Sequence, residues 1–176
     1  MPKIIDNLRS RLVAEARKQI RENGYTTMTI RSVAQSCGIG IGTVYNYFPS
    51  KDSLVAAYIL EDWEECLAAI YAVYNRSSEP LPVLRCMYDQ LLSFSERHRS
   101  LFRDNAAQTS VAGAFGRYHE ILRTQLAMPL KKYCTGAFTA EFIAEAMLTW
   151  TMAGREFDEL HAVIKKLLKK TPAKAT

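Results

Sequence analysis

Apolar residues recur at three- and four-residue intervals along almost the whole chain, the pattern of amphipathic helices. Leu8, Leu12, Ala16 and Ile20 stand four apart and put one stripe on a first helix, which Asn23 and Gly24 end. Thr29 precedes Ile30-Arg31-Ser32-Val33-Ala34 and is placed to cap a short second helix. Gly38 and Gly40 interrupt, Ile41 to Phe48 reads as a third helix, and Pro49 closes it. Ser50 then caps a long fourth helix whose stripe is Ile59, Trp63, Cys66, Ile70 and Tyr74. Residues 76–80 read as a linker. Pro80 and Pro82 suit the first turn of the next helix, which is predicted to reach about His98. A short helix near Leu101 and a longer one from Ala114 to Tyr133, kinked or ended at Pro129, come next. Two helices close the chain as a pair, Thr139 to about Ala153 and Glu156 to about Lys169. Ile143, Met147, Trp150 and Gly154 form one stripe, and Phe157, Leu160, Ile164, Leu167 and Leu168 answer it. No segment alternates as a strand does, so the expected fold class is all-α.

Composition narrows the class. With 176 residues, 48% hydrophobic and 23% charged, the chain can bury a core and is not of disordered type. Its longest nearly unbroken apolar run, Leu54 to Leu60, falls far short of the roughly 20 residues that cross a bilayer. The N-terminal residues lack the apolar stretch of a secretory signal, so a cytoplasmic protein with no membrane partner is expected. Cys37, Cys66, Cys86 and Cys134 are far apart in sequence, without the paired spacing of a zinc site, and are expected to be reduced thiols. The net charge of +5 is uneven: residues 1–58 carry +4 and the remainder +1. A basic first third suits contact with an anionic polymer.

The stretch from Thr29 to Leu54, TIRSVAQSCGIGIGTVYNYFPSKDSL, carries the most information. It reads as two short helices joined by a tight turn. Val33 and Ala34 face inward, Gly38 permits the turn, Ile39 plugs the junction, and Val44 and Phe48 anchor the second helix. That leaves Ile41, Gly42, Thr43, Tyr45, Asn46 and Tyr47 for the outside. Solvated helix faces ordinarily use Glu and Lys. Hydroxyls and an amide suit phosphate oxygens and base edges instead, and a helix of this length fits a major groove.

With its elements Thr29-Ile30-Arg31-Ser32-Val33-Ala34, Gly42-Thr43-Val44-Tyr45-Asn46-Tyr47-Phe48 and Pro49-Ser50-Lys51-Asp52-Ser53-Leu54 in fixed order, the stretch resembles the DNA-binding domain of the TetR family. Asn23-Gly24-Tyr25 is similar to the ending of that family's first helix. The resemblance implies a three-helix helix-turn-helix domain, residues 1–50, followed by a helical effector-binding and dimerisation domain, residues 51–176. It implies that Thr29 caps the second helix toward a phosphate and that Arg31 reaches a base edge or phosphate. Thr43, Tyr45 and Tyr47 would hold the DNA backbone, Gly42 would permit close approach, and Lys51 would grip a phosphate. Gly40 and Ile41 depart from the family pattern, which often has Ser and then a polar residue there. The side-chain cap is lost at Gly40, and Ile41 brings no hydrogen-bonding group to a base edge.

The expected function is therefore sequence-specific transcriptional regulation by a dimeric repressor on a palindromic double-stranded DNA operator. A small, largely apolar or aromatic effector would release it. Trp63, Cys66, Ile70, Met87, Leu91, Phe102, Phe115 and Trp150 are the candidate effector-contacting residues, although aromatic and Met stripes at helical spacing more often serve the core than a pocket. The last two helices are the expected dimer surface. No catalytic arrangement, metal set or cofactor motif stands out. His98, His119 and His161 are far apart in sequence, and the Glu61-Asp62-Glu64-Glu65 cluster reads as a solvated face. The alternative is a helical interaction or scaffold protein without specific DNA binding.

Overall fold

A computed structural model describes residues 7–103 and 113–169, with the backbone alone described for Phe102, Arg103 and residues 113–118. The described residues form α1 (Leu8–Asn23), α2 (Ile30–Ser36), α3 (Ile41–Tyr47), α4 (Lys51–Arg76), α5 (Pro80–Arg97) and α6 (Arg99–Arg103). After these come α7 (Gly113–Ala127), a 3-10 segment (Met128–Tyr133), α8 (Ala137–Met152) and α9 (Phe157–Ile164). The expected all-α class is what is found. Among the described residues the sole β feature is an isolated bridge between Cys134 and Leu168. No helix among them is long and apolar enough to cross a membrane.

The chain divides into two compact units: Met1–Trp63 with Arg97–Gly116, and Glu64–Glu96 with Arg117–Thr176. The first unit extends past the predicted boundary at residue 50 for a packing reason. Leu54, Val55, Ala57 and Tyr58 of α4 and Leu101 of α6 are buried in the same cluster as Leu12, Val13 and Ala16 of α1 and Val33 and Val44 of α2 and α3. Each fully buried aliphatic side chain there contributes about 2 kcal/mol. Three helices of 16, 7 and 7 residues could not enclose such a core without the start of α4.

A buried polar cluster sits in this unit. Asp62 of α4 is 1% exposed and pairs with Arg17 of α1 at 2.6 Å and with His98 at 3.1 Å; Arg97 stands at 3.9 Å. The Tyr58 ring lies against His98, and the Arg17 guanidinium lies over Tyr58. Asp62 is thus not part of a solvated acidic face, although its neighbours Glu64 and Glu65 are exposed. Burial, with the negative charge of Asp62 nearby, pushes the Tyr58 phenol up to about 12.

In the second unit α5 begins at Pro80, where a missing N–H costs nothing. It buries Val83, Leu84, Met87, Tyr88, Leu91 and Phe94. The carbonyls at the end of α4 are met by Lys132, whose ammonium donates to Tyr74 O at 3.1 Å and Ser77 O at 2.8 Å. Pro129 ends α7 in the 3-10 segment. α8 packs against that segment and against α9.

The structure departs from the sequence pattern at two places in the last helices. Gly154 does not share the Ile143 stripe: at φ +81° it closes α8, and Arg155 N donates back to Trp150 O at 2.9 Å. The last helix stops at Ile164 instead of about Lys169, because Lys169 N pairs with Tyr133 O at 2.9 Å and Leu168 bridges to Cys134. Leu167 and Leu168 therefore leave the α9 stripe.

Candidate nucleic-acid interface

The second helix is held at both ends by its own sequence. Thr29 Oγ1 accepts from Ser32 N at 3.0 Å, and Ser32 Oγ accepts from Thr29 N at 3.0 Å, a reciprocal capping box. The Ser32 hydroxyl also lies 2.6 Å from Gln19 Oε1, which ties α2 to α1. At the other end Gly38 takes φ +68°. Ile39 N donates to Ala34 O and Gly38 N to Gln35 O, the pairing of a Schellman turn. Arg11 donates to Cys37 O at 3.2 Å, and burial raises the pKa of the Cys37 thiol, which donates back to Arg11 O. The angle between α2 and α3 is thus fixed from α1 as well as by the turn.

The third helix is anchored on one side only. Val44 is fully buried and Phe48 nearly so, with the Arg9 guanidinium 5.5 Å above the Phe48 ring. Ile41 (38%), Tyr45 (49%) and Tyr47 (42%) are exposed although large and apolar in part. Gly40, Gly42 and Asn46 are exposed with them, and Thr43 is half-buried. Gly40 caps α3 through its backbone alone, with Thr43 N donating to Gly40 O at 3.0 Å. Ser50 then opens α4, exchanging hydrogen bonds of 3.1 Å with Ser53.

Five of the sequence-predicted residues, Thr29, Arg31, Ile41, Tyr45 and Lys51, line one open cleft of about 640 Å³ with Met28, Ile30, Pro49 and Ser50. Lys51 is more constrained than its sequence role suggests. Its ammonium donates to Tyr25 O at 2.5 Å and lies 4.0 Å from the centre of the Tyr25 ring, while Tyr25 Oη donates to Asp52 Oδ1. Tyr25 and Asp52 are thus positioning residues that sequence reasoning missed. Tyr25 was legible only as part of the first helix's ending.

The candidate effector residues are divided between the two units. Trp63 is buried in the first unit, whereas Cys66, Ile70, Met87 and Leu91 are fully buried in the second. Trp150 is 48% exposed on α8. The side chains of Phe102 and Phe115 lie outside the described residues. The histidines are likewise separate: His98 on Asp62, His119 on Glu145 at 2.9 Å, and His161 stacked on Phe157. Among the described residues no group of three His, Cys, Asp or Glu side chains could hold a metal ion.

α8 also presents an exposed apolar row. Phe138 (78%), Phe142 (52%) and Trp150 stand four and eight residues apart, whereas Ile143 and Met147 are fully buried. The predicted Ile143–Met147–Trp150 stripe therefore splits, its first two members serving the core of the second unit. Val163 of α9 is exposed too.

Residues 12–58 match the family model described as bacterial regulatory proteins, tetR family. The HTH-type transcriptional regulator UidR of Escherichia coli (strain K12) is 40% identical over 60 residues, 34% of this chain and 31% of UidR. The HTH-type transcriptional repressor KstR of Rhodococcus jostii (strain RHA1) is 27% identical over 118 residues, 62% of this chain and 52% of KstR. The match to UidR thus spans about a third of that relative's length. A TetR-family regulator from Pectobacterium atrosepticum has a similar solved structure: TM-score 0.65, 19% identity, 95% of this chain and 97% of that one covered. A regulator from Streptomyces coelicolor A3(2) gives TM-score 0.69 at 16% identity over 91% and 97%. At such identities these two likenesses concern the fold.

Proposed function

We propose that this chain, whose residues 12–58 match the tetR family model, is a sequence-specific, dimeric DNA-binding transcriptional repressor of that family, released by a small, largely apolar ligand. The observation that carries the reading is α3. It is pinned by Val44 and Phe48 and turns Ile41, Tyr45, Asn46 and Tyr47 outward, with Ile41 and Tyr45 in the cleft that Arg31 and Lys51 also line. Thr43, Tyr45 and Tyr47 donate to phosphates, Asn46 and Arg31 face base edges, and Gly40 and Gly42 let the backbone approach.

One seven-residue helix carries too few contacts for useful specificity, so two copies act on a palindrome with half-sites roughly 34–36 Å apart. Phe138, Phe142 and Trp150 of α8, with Val163 of α9, support self-association through the last two helices, since soluble proteins seldom leave such rows in water. Cys66, Ile70, Met87 and Leu91 form the apolar interior through which an effector acts in the second unit. An effector that prefers a different spacing of the recognition helices weakens operator affinity by about 1–3 kcal/mol of coupling.

The test is selection from a randomised duplex pool with the full chain. A recovered palindrome supports the reading. Recovery of no preferred duplex from a folded dimer contradicts it and leaves the exposed α8 face as a scaffold surface.

A further inference from the structure

Gly40, the cap of α3, and Ile41 and Gly42 of its first turn offer DNA no hydrogen-bonding side chain. Gly40 has none, and a Cβ built there would meet Thr43 Oγ1 no closer than 4.0 Å; around Gly42 nothing lies within 4 Å. The segment thus offers bare backbone on either side of one branched hydrocarbon. Ile41 keeps 38% of its surface in water on a helix that buries Val44 and Phe48, and it shares the open cleft with Tyr45, one turn further on. The surrounding polar groups, Thr29, Arg31 and Lys51, suit phosphates and base edges, which sets the occupant as duplex DNA.

Base edges in a major groove are donors and acceptors with one apolar exception, the C5-methyl of thymine. A donor or acceptor pressed against isoleucine loses water and gains no partner, whereas a methyl loses nothing polar. We infer that Ile41 is a specificity-determining residue that reads thymine through its methyl group, so that each operator half-site carries a thymine opposite it. This rests on the DNA-binding reading above. Cytosine at that step brings its N4 amino donor to a hydrocarbon that cannot accept, and the flanking glycines supply no side-chain acceptor.

The experiment takes the duplex recovered from the randomised pool and replaces thymines by deoxyuridine one position at a time, which removes a methyl and leaves base pairing intact. With the full chain, one position per half-site is expected to weaken binding about fourfold, and both together roughly fifteenfold, on the transfer free energy of one buried methyl group each. Ile41→Ala is expected to fold normally, since the side chain is exposed, and to bind the thymine and uridine duplexes equally. Equal affinity of the wild-type chain for every uridine-substituted duplex overturns the inference. So does a uridine penalty that persists unchanged in Ile41→Ala. Either result leaves specific DNA binding standing, whereas failure to select any duplex removes that reading and this one together.

Discussion

Gly38 and Gly42 lie four residues apart and are required for different reasons. Gly38 holds φ +68° at the end of α2, a conformation that costs an L-residue about 1–2 kcal/mol. Gly38→Ala is therefore expected to lower stability by that amount in urea denaturation. Gly42 sits inside α3 with an ordinary backbone and open space around it. Gly42→Ala is expected to raise stability by up to about 1 kcal/mol through helix propensity. It is also expected to weaken DNA binding, because the new methyl stands where the groove must approach. A variant stabler but weaker-binding separates the interface role from the fold role. Lys51 does not separate them: its ammonium also ties the end of α1 to α4 through Tyr25. Tyr45→Phe is the cleaner probe, since it removes a hydroxyl from a half-exposed ring.

At the scale of elements, α4 is joined to α1 and to the start of α6 by the cluster around Asp62. Asp62→Ala removes the buried carboxylate that Arg17 and His98 share and is expected to cost about 3 kcal/mol in thermal or urea unfolding, the lower end for a broken buried pair because Arg17 keeps access to water and to Glu61 at 3.8 Å. Tyr58 supplies a pH signature. Its phenol is raised from 10.0 to about 12. The unfolded chain therefore releases that proton first, and stability falls as pH rises between those values. Denaturation midpoints across that range should show the fall, and Tyr58→Phe should remove this share of it.

Elements differed in how plainly the sequence specified them. Thr29 with Ser32, Gly38 and Ser50 with Ser53 are local devices, so the boundaries of α2, α3 and α4 follow from neighbouring residues. The outward set on α3 was legible for the same reason: Val44 and Phe48 define the buried side. α8 was not legible in this way. It is apolar on nearly every side, with Ala140, Ile143, Ala144, Met147 and Leu148 inward and Phe138, Phe142 and Trp150 outward. A helix apolar all round defines no single stripe, and only packing chooses. The end of α9 was equally hidden, because it depends on a backbone pairing between Lys169 and Tyr133, distant in sequence.

At the scale of the whole molecule, recognition of a palindrome as proposed requires two copies. Phe142→Glu places a charge in the exposed row of α8 without touching a buried residue. It is expected to shift light-scattering mass from dimer to monomer and to weaken operator affinity at least tenfold, because a half-site contact alone cannot replace two. An unchanged mass would move the dimer surface away from α8.

The central claim is that α3 binds DNA specifically. The most direct measurement is a fluorescence-anisotropy titration of the wild-type chain and Tyr45→Phe against the selected duplex and a scrambled one, repeated at rising salt. The account predicts tight binding to the selected duplex alone, a steep loss with salt from phosphate contacts, and a several-fold loss for Tyr45→Phe at unchanged stability. Equal affinity for both duplexes, or a Tyr45→Phe variant that binds as the wild type does, would contradict it.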